Sequence, residues 1–428
     1  MESVRFRMKI LCTTVEQLPA QLPPDTRAFT FNKSAKRENV GTIAQGWRGS
    51  IKRKGYAPSP ACWDFVQLCL SVCAADLACL RTSSADGWTR TIDLTVAMAE
   101  PIRWQPLTSH VERMLKVLTG DYWTLHFVDG GQLPPDGKPK PHDSDCVSLL
   151  SGGLDSLIGG IDLVAQGRRP MFVSQLAHED SEKQVRYATI LGRSATHCQW
   201  SHKISFGGQR ETSTRGRSLA FYAFAVLAAS RVPGQNVEIF VPENGFICIN
   251  PPLVPGRMGS LSTKTTHPLF IQQMQELLDA VGVQVSFKLP YKFKTKGEML
   301  AECQNQVQLN QLAATTTSCG RYRTYNRTHC GRCVPCMIRR ASFLKWGGPN
   351  KDTTNYVHPN LSGSAKSSGP DDPMAAALAV LTARDKGIDR FLSSSLAFAS
   401  PTERPYYRNV LGTGLDELEA LLILDGLL

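Results

Sequence analysis

Ser151-Gly152-Gly153-Leu154-Asp155-Ser156 collects the residue types that hold phosphate. Two adjacent glycines let the backbone turn tightly and approach an anion closely. Successive N–H groups and a following helix N-terminus offer donors and a partial positive charge. Ser151 and Ser156 add hydroxyl donors, and Asp155 can orient Mg²⁺ or a phosphate-bound water. The blander alternatives are an unliganded strand-to-helix turn and helix capping by Asp155. The Gly-Lys-Ser/Thr ending of the NTPase P-loop is missing.

Cys319, Cys330, Cys333 and Cys336 follow the spacing C-x10-C-x2-C-x2-C. Such spacing places thiolates around one tetrahedral ion, and Arg321, Arg323, Arg327 and Arg332 stabilise thiolates. Zinc is the expected metal, and four sulfurs leave no open position for catalysis. A four-iron cluster is the alternative. The other nine of the thirteen cysteines are scattered and read as packing.

Single residues add candidates. Arg217 and Lys296 can neutralise anionic charge, against the alternative of solvated surface charges. Glu243 and Asn244 follow an expected strand, where hydrogen bonds could read a purine-like base, and Gly245 leaves room for close approach. Arg339 is expected either near the nucleotide or in support of the zinc ligands. His267 reads as structural, with Thr265 or Thr266 as a helix cap.

These residues need a frame. Strands are expected at 146–150, 171–175, 199–205, 237–241 and 283–289. Helices are expected at 156–166, 179–191, 217–230 and 269–281. This alternation implies βαβ units and a parallel sheet that binds ligands beyond its carboxyl ends. Before it come an alternating strand at 4–12, an irregular Pro/Gly/basic stretch at 19–60, a buried helix at 63–80, a helix at 108–118 and a strand at 122–128. The segment 130–145 reads as a linker, and helices at 374–392 and 415–427 close the chain. The expected organisation is an N-terminal α+β extension at 1–142, an α/β domain with a doubly wound parallel sheet at 143–346, and a helical extension at 347–428.

The chain has 428 residues, 42% of them hydrophobic, and a net charge of +11. That excludes a largely disordered chain. No uninterrupted apolar run approaches the ~18 residues of a membrane helix, and the N-terminus lacks the apolar core of a secretory signal. A cytoplasmic protein with reduced cysteines and no membrane partner is expected. Residues 1–60 and 315–345 each carry +7 and could each face a phosphate-rich or acidic partner.

Ser-Gly-Gly-x-Asp-Ser resembles the PP-loop of ATP pyrophosphatases, which hold the β,γ-pyrophosphate of ATP and cleave at the α-phosphorus. Cys330-Gly331-Arg332-Cys333-Val334-Pro335-Cys336, followed by Arg339 and Phe343, looks like the C-terminal signature of QueC, the 7-cyano-7-deazaguanine synthase family. Lys294-Thr295-Lys296-Gly297-Glu298-Met299 resembles that family's Lys-Thr-Lys-x-Glu stretch, and Arg217 resembles the arginine before its buried helix. The similarity spans 143–345, so it implies a PP-loop ATP pyrophosphatase fold and a need for ATP, Mg²⁺ and Zn²⁺. It also implies activation of 7-carboxy-7-deazaguanine as an acyl-adenylate, attack by ammonia, and dehydration of the amide to a nitrile.

The chain departs from the family in its two long extensions and in Val241–Gly245 and Ser262–Pro268, which replace an Asp-rich segment. The enlarged form resembles QueC-like proteins of bacterial antiphage loci, the Qat system especially. That resemblance implies a partner protein from the same locus and admits a protein amine as nucleophile, giving a deazaguanine–protein conjugate. A PP-loop tRNA-modifying enzyme is the alternative, although nucleic acid is the less favoured partner.

Overall fold

Short strands of apolar residues, buried on both faces, form the centre of the molecule. A computed structural model describes residues 7–138, 140, 142–176, 179–254, 264–362 and 371–428. Parts of three sequence readings, the strand start at 4–6, Pro139 and Pro141 of the 130–145 linker, and Ser262-Thr263, lie outside these residues.

The first sheet contains β1 (Arg7–Thr13), β2 (Thr26–Phe31), β3 (Val40–Ile43), β4 (Thr91–Ala97) and β5 (Tyr122–Val128). The second contains β6 (Cys146–Leu149), β7 (Pro170–Gln175), β8 (Cys198–Trp200), β10 (Val237–Phe240) and β11 (Val285–Lys288). The two-residue β9 (Ile204–Ser205) leaves the second unit and pairs antiparallel with β3.

The second sheet is parallel throughout, in the order β11-β10-β6-β7-β8. The chain moves outward from β6 through β7 and β8, then returns to the other side for β10. Loops leaving β6 and β10 therefore diverge and open a crevice between them. Alternate side chains serve opposite faces. Val147, Leu149, Met171 and Val173 pack with helix Leu219–Ala229. Leu150 and Phe172 pack with Leu154, Leu157 and Ile158 of helix Leu154–Ala165.

The N-terminal part corrects the α+β expectation. Its strands β5-β4-β1-β2-β3 run parallel, which requires crossover connections and makes this unit α/β as well. The stretch 19–60 is not irregular, because it supplies β2, β3 and helix Trp47–Arg53. These strands are short and mostly inward-facing, so they carry no polar alternation to read.

The two sheets share one core. Helix Pro60–Ala78 packs on helix Leu219–Ala229, and a single apolar cluster runs through both helices from sheet to sheet. Pro60–Ala78 is long and apolar enough on average to cross a membrane, although Asp64, Gln67 and Asp76 interrupt it. Here it is a core helix. A buried ion network reinforces the junction. Arg90 donates to Asp76 at 2.5 Å and to Asp121 at 2.6 Å, and Arg81 donates to Asp121 at 2.9 Å. The other oxygen of Asp76 accepts the N–H groups of Arg215 and Gly216 at 2.7 and 2.6 Å, just ahead of Arg217.

The C-terminal residues form helices Asp372–Lys386, Ile388–Leu392 and Arg404–Leu424. Their apolar side chains share a cluster with Val334, Met337 and Ile338 of helix Val334–Gly347 and with Phe246 and Ile249 of helix Gly245–Ile249. This extension is packed onto the elements that carry the crevice.

Asp76→Ala should destabilise the protein by about 3–5 kcal/mol, because it strands Arg90 beside one carboxylate and frees two buried N–H groups. A denaturant midpoint shifted by less than the equivalent of about 1 kcal/mol would show that the network is dispensable.

Candidate functional site

A cavity of about 380 Å³ opens between the carboxyl ends of β6 and β10. Its floor is the Ser151–Ser156 loop, and its walls include Glu243, Lys296, Thr317 and Ser318. Gly152 has φ +92°, and a Cβ there would lie 3.0 Å from Cβ of Asp180, so the turn needs glycine. Gly153 caps helix Leu154–Ala165 without a side-chain bond, leaving first-turn N–H groups with no intrahelical acceptor. The hydroxyls of Ser151 and Ser156 lie 3.1 Å apart, and Ser151 Oγ accepts from Gly153 N–H at 3.2 Å. Leu154 packs inward and anchors the loop in the apolar layer below.

Asp155 is the hub. It forms a buried ion pair with Lys296 and accepts from the N–H and Nδ2 of Asn244 at 3.1 and 2.7 Å. Burial pushes its carboxyl up, but Lys296 with the Glu243 and Asn244 hydrogen bonds outweighs that and holds it down at about 2. Glu243 moves the other way. Burial and the Asp155 charge push it well above the usual carboxylate range, which favours its protonated form. Asn244 also caps helix Gly245–Ile249 through Ile247 N–H at 3.0 Å. Gly245 has no room for a side chain, because a Cβ would lie 2.2 Å from the Lys292 carbonyl. Lys296 opens helix Lys296–Glu302, whose N-terminus is a capping box of Thr295 and Glu298.

Two expected residues lie elsewhere. Arg217 is exposed at the start of the segment leading into helix Leu219–Ala229 and does not line the cavity. Its charge is felt at Glu179 and His202, beyond β7 and β8. Arg339 is fully buried outside the cavity. It donates to Thr316 at 2.8 Å, Ser318 at 3.2 Å, the Ala313 carbonyl at 2.8 Å and Thr354 at 2.9 Å. It braces the 313–318 segment.

That segment was not singled out in the sequence. Thr317 N–H donates to the Gly152 carbonyl at 3.1 Å, and its hydroxyl donates to Asp180 at 2.7 Å. Lys183 donates to Thr317 Oγ1 at 2.6 Å and to Tyr322 OH at 3.1 Å. No spacing rule flags these residues, because their partners lie more than a hundred positions away.

The four clustered cysteines gather at one point, with all Sγ atoms within 4.8 Å of one another. The Cys319–Cys333 and Cys330–Cys336 sulfurs are each 3.9 Å apart. A tetrahedron with metal–sulfur bonds of about 2.3 Å has edges of about 3.8 Å, so the set suits one zinc ion. Cys319 Sγ accepts the N–H groups of Arg321 and Cys330, and Cys330 Sγ accepts that of Cys333, each at 3.3 Å. Such donors stabilise thiolates. Ser318, next to Cys319, donates its N–H to His329 at 3.1 Å, so the metal loop and the cavity wall are one piece of chain.

Fold and site together define an α/β protein with a glycine-turned loop at the switch point of a parallel sheet and a separate four-cysteine cluster. Residues 265–347 match the family described as queuosine biosynthesis protein QueC. The chain is 26% identical over 235 residues to 7-cyano-7-deazaguanine synthase of Paracoccus denitrificans (strain Pd 1222), covering 49% of this chain and 92% of that protein. The chain is thus similar to that synthase over about half its length, and the family match is confined to residues 265–347.

The purified protein should hold about one zinc per chain by elemental analysis. Cys333→Ser should lose the metal and lower the melting temperature. A variant that is metal-free yet melts like the wild type would remove the cluster's structural role.

Proposed function

We propose that this chain uses Mg-ATP to adenylate a carboxylate of the 7-carboxy-7-deazaguanine type, and that an amine then takes the acyl group. The observation that carries this reading is the convergence of the phosphate loop, the Asp155–Lys296 pair and the Glu243–Asn244 corner in one cavity. Likeness to a 7-cyano-7-deazaguanine synthase supplies the substrate class.

A carboxylate resists amines because oxide is a poor leaving group. In the proposed reaction a carboxylate oxygen bonds to the α-phosphorus, and the bond to the β,γ-pyrophosphate breaks. The amine nitrogen then bonds to the acyl carbon, AMP leaves, and the amine proton passes to solvent. The product is an amide, which a second ATP could activate for dehydration to a nitrile.

The chain's residues mainly position reactants and neutralise charge. Loop N–H groups and the Ser151 and Ser156 hydroxyls suit the phosphates. Asp155 suits Mg²⁺, which would supply the cation that lets a carboxylate face phosphate. Lys296 then turns its charge toward the pyrophosphate. Protonated Glu243 and Asn244 offer donors to a purine-like base. Arg217, outside the cavity near Glu179 and His202, suits at most a more distal part of the ligand, while Arg339 acts only through the 313–318 segment.

The nucleophile is ammonia or the amine of a partner protein. The N-terminal α/β unit and the C-terminal helices lie outside residues 265–347, which match the family, and suit such a partner, within antiphage defence in the cytoplasm. The tRNA-thiolation alternative is weaker. All thirteen cysteines are buried, and burial pushes the Cys146 and Cys303 thiols up to about 12.

Incubation with Mg-ATP, ammonia and 7-carboxy-7-deazaguanine should give AMP in an acid-dependent manner, with an amide or nitrile in the mass spectrum. Lys296→Met should slow this by about 100-fold or more. ATP consumption that ignores the acid would contradict the reading.

A further inference from the structure

Lys296 is held from behind by the last helix of the chain. Thr295, the residue before it, accepts from Glu298 N–H at 3.1 Å and donates its hydroxyl to Glu417 at 2.5 Å. Glu417 lies in Arg404–Leu424, is 8% exposed, and sits against the Gly297 backbone, which helps hold its carboxyl down. A Cβ on Gly297 would stand 2.5 Å from the Glu417 carboxylate, so the contact leaves no space for a side chain. One carboxylate thus grips the residues on both sides of Lys296.

The same helix bounds the other wall. A Cβ on Gly414 would lie 2.1 Å from the ring of Phe246, just after the Glu243–Asn244 corner. Apolar packing accounts for Leu415, Leu418 and Leu422 in this helix. It does not account for a buried carboxylate, which is costly unless donors meet it. Here the donors are the N-terminus of the helix that presents Lys296.

We propose that Glu417 is a positioning residue that fixes helix Lys296–Glu302 so that Lys296 meets the phosphate loop, making the C-terminal helices part of the active site. Its consequence for turnover rests on the ATP-dependent reading above.

The charged groups facing Glu417 are Glu298 of the gripped helix and Lys345 of helix Val334–Gly347. Helix Gly245–Ile249 brings none, and Arg384 of Asp372–Lys386 pairs instead with Asp416 and Glu419. Burial pushes the Glu417 carboxyl up to about 7, against the pull of Thr295, Lys345 and Gly297. Two opposite trends follow. The raised value favours the protonated fold, so this contribution to stability is full below the ordinary glutamate range and fades as pH rises through about 7. The grip on Thr295 and Gly297 strengthens over the same rise, because an ionised acceptor bonds more strongly.

The test compares the full-length wild type with Glu417→Gln and with Leu422→Ala, a packing control in the same helix. Acid-dependent AMP formation is followed from about pH 6 to about pH 8, and amide hydrogen exchange of residues 296–302 is followed without nucleotide. Wild-type turnover should rise with an apparent pKa near 7. Glu417→Gln should lose that limb, turn over about 10- to 100-fold more slowly, and speed exchange in 296–302 selectively. Leu422→Ala should lower the melting temperature and keep the limb. If Glu417→Gln keeps the wild-type exchange at 296–302, the proposal is overturned, whether or not the wild type makes AMP. If Leu422→Ala loses the limb equally, the role is only structural. If the wild type makes no AMP while Glu417→Gln loosens 296–302, the positioning stands and the ATP reading fails.

Discussion

Everything in the cavity turns on the buried pair between Asp155 and Lys296. Moving both charges out of water is costly, and their attraction offsets that cost only with good geometry and further hydrogen bonds. Asn244 supplies those bonds from the end of β10, and Asp155 itself stands on the loop after β6. Lys296 comes from a helix beyond β11. The pair therefore needs both sides of the switch point and a third element to be in register at once.

The rest of the structure limits how far these elements can drift. The thiolate centre and Arg339 hold the 313–318 segment, and Thr317 ties that segment to the phosphate loop. The N-terminal unit adds a second parallel sheet that shares the core instead of hanging from it. Much of its basic charge is spent close to home. Arg37 donates to the Pro19 and Ala20 carbonyls, Arg48 to those of Leu133 and Pro134, and Lys33 and Lys52 pair with Glu16 and Asp136.

Legibility in the sequence followed the range of the interaction. The phosphate loop and the cysteine cluster are local patterns and could be read directly. Strand β5 was equally plain, because exposed Tyr122, His126 and Val128 alternate with buried Trp123, Leu125 and Phe127. Strands β2 and β3 were hidden by their burial and by surrounding Pro, Gly and Lys. Strand β4 carries the same signal as β5, with Ile92, Leu94 and Val96 alternating inward. Asn244 and Lys296 could be suspected from position, but not their common partner. Thr317, Lys183 and Glu417 gave no signal, since each matters through a contact far along the chain. Position alone leaves Arg339 open between the nucleotide and support of the zinc ligands, and only its occupied donors show it bracing 313–318.

The central claim is that this pocket breaks ATP between the α- and β-phosphates on behalf of a carboxylate. Exchange of labelled pyrophosphate into ATP tests it most directly, since it reads the reversible first step alone and needs no amine. The account predicts exchange that appears only when 7-carboxy-7-deazaguanine and Mg²⁺ are both present. Release of ADP and phosphate, with no label entering ATP, would contradict it.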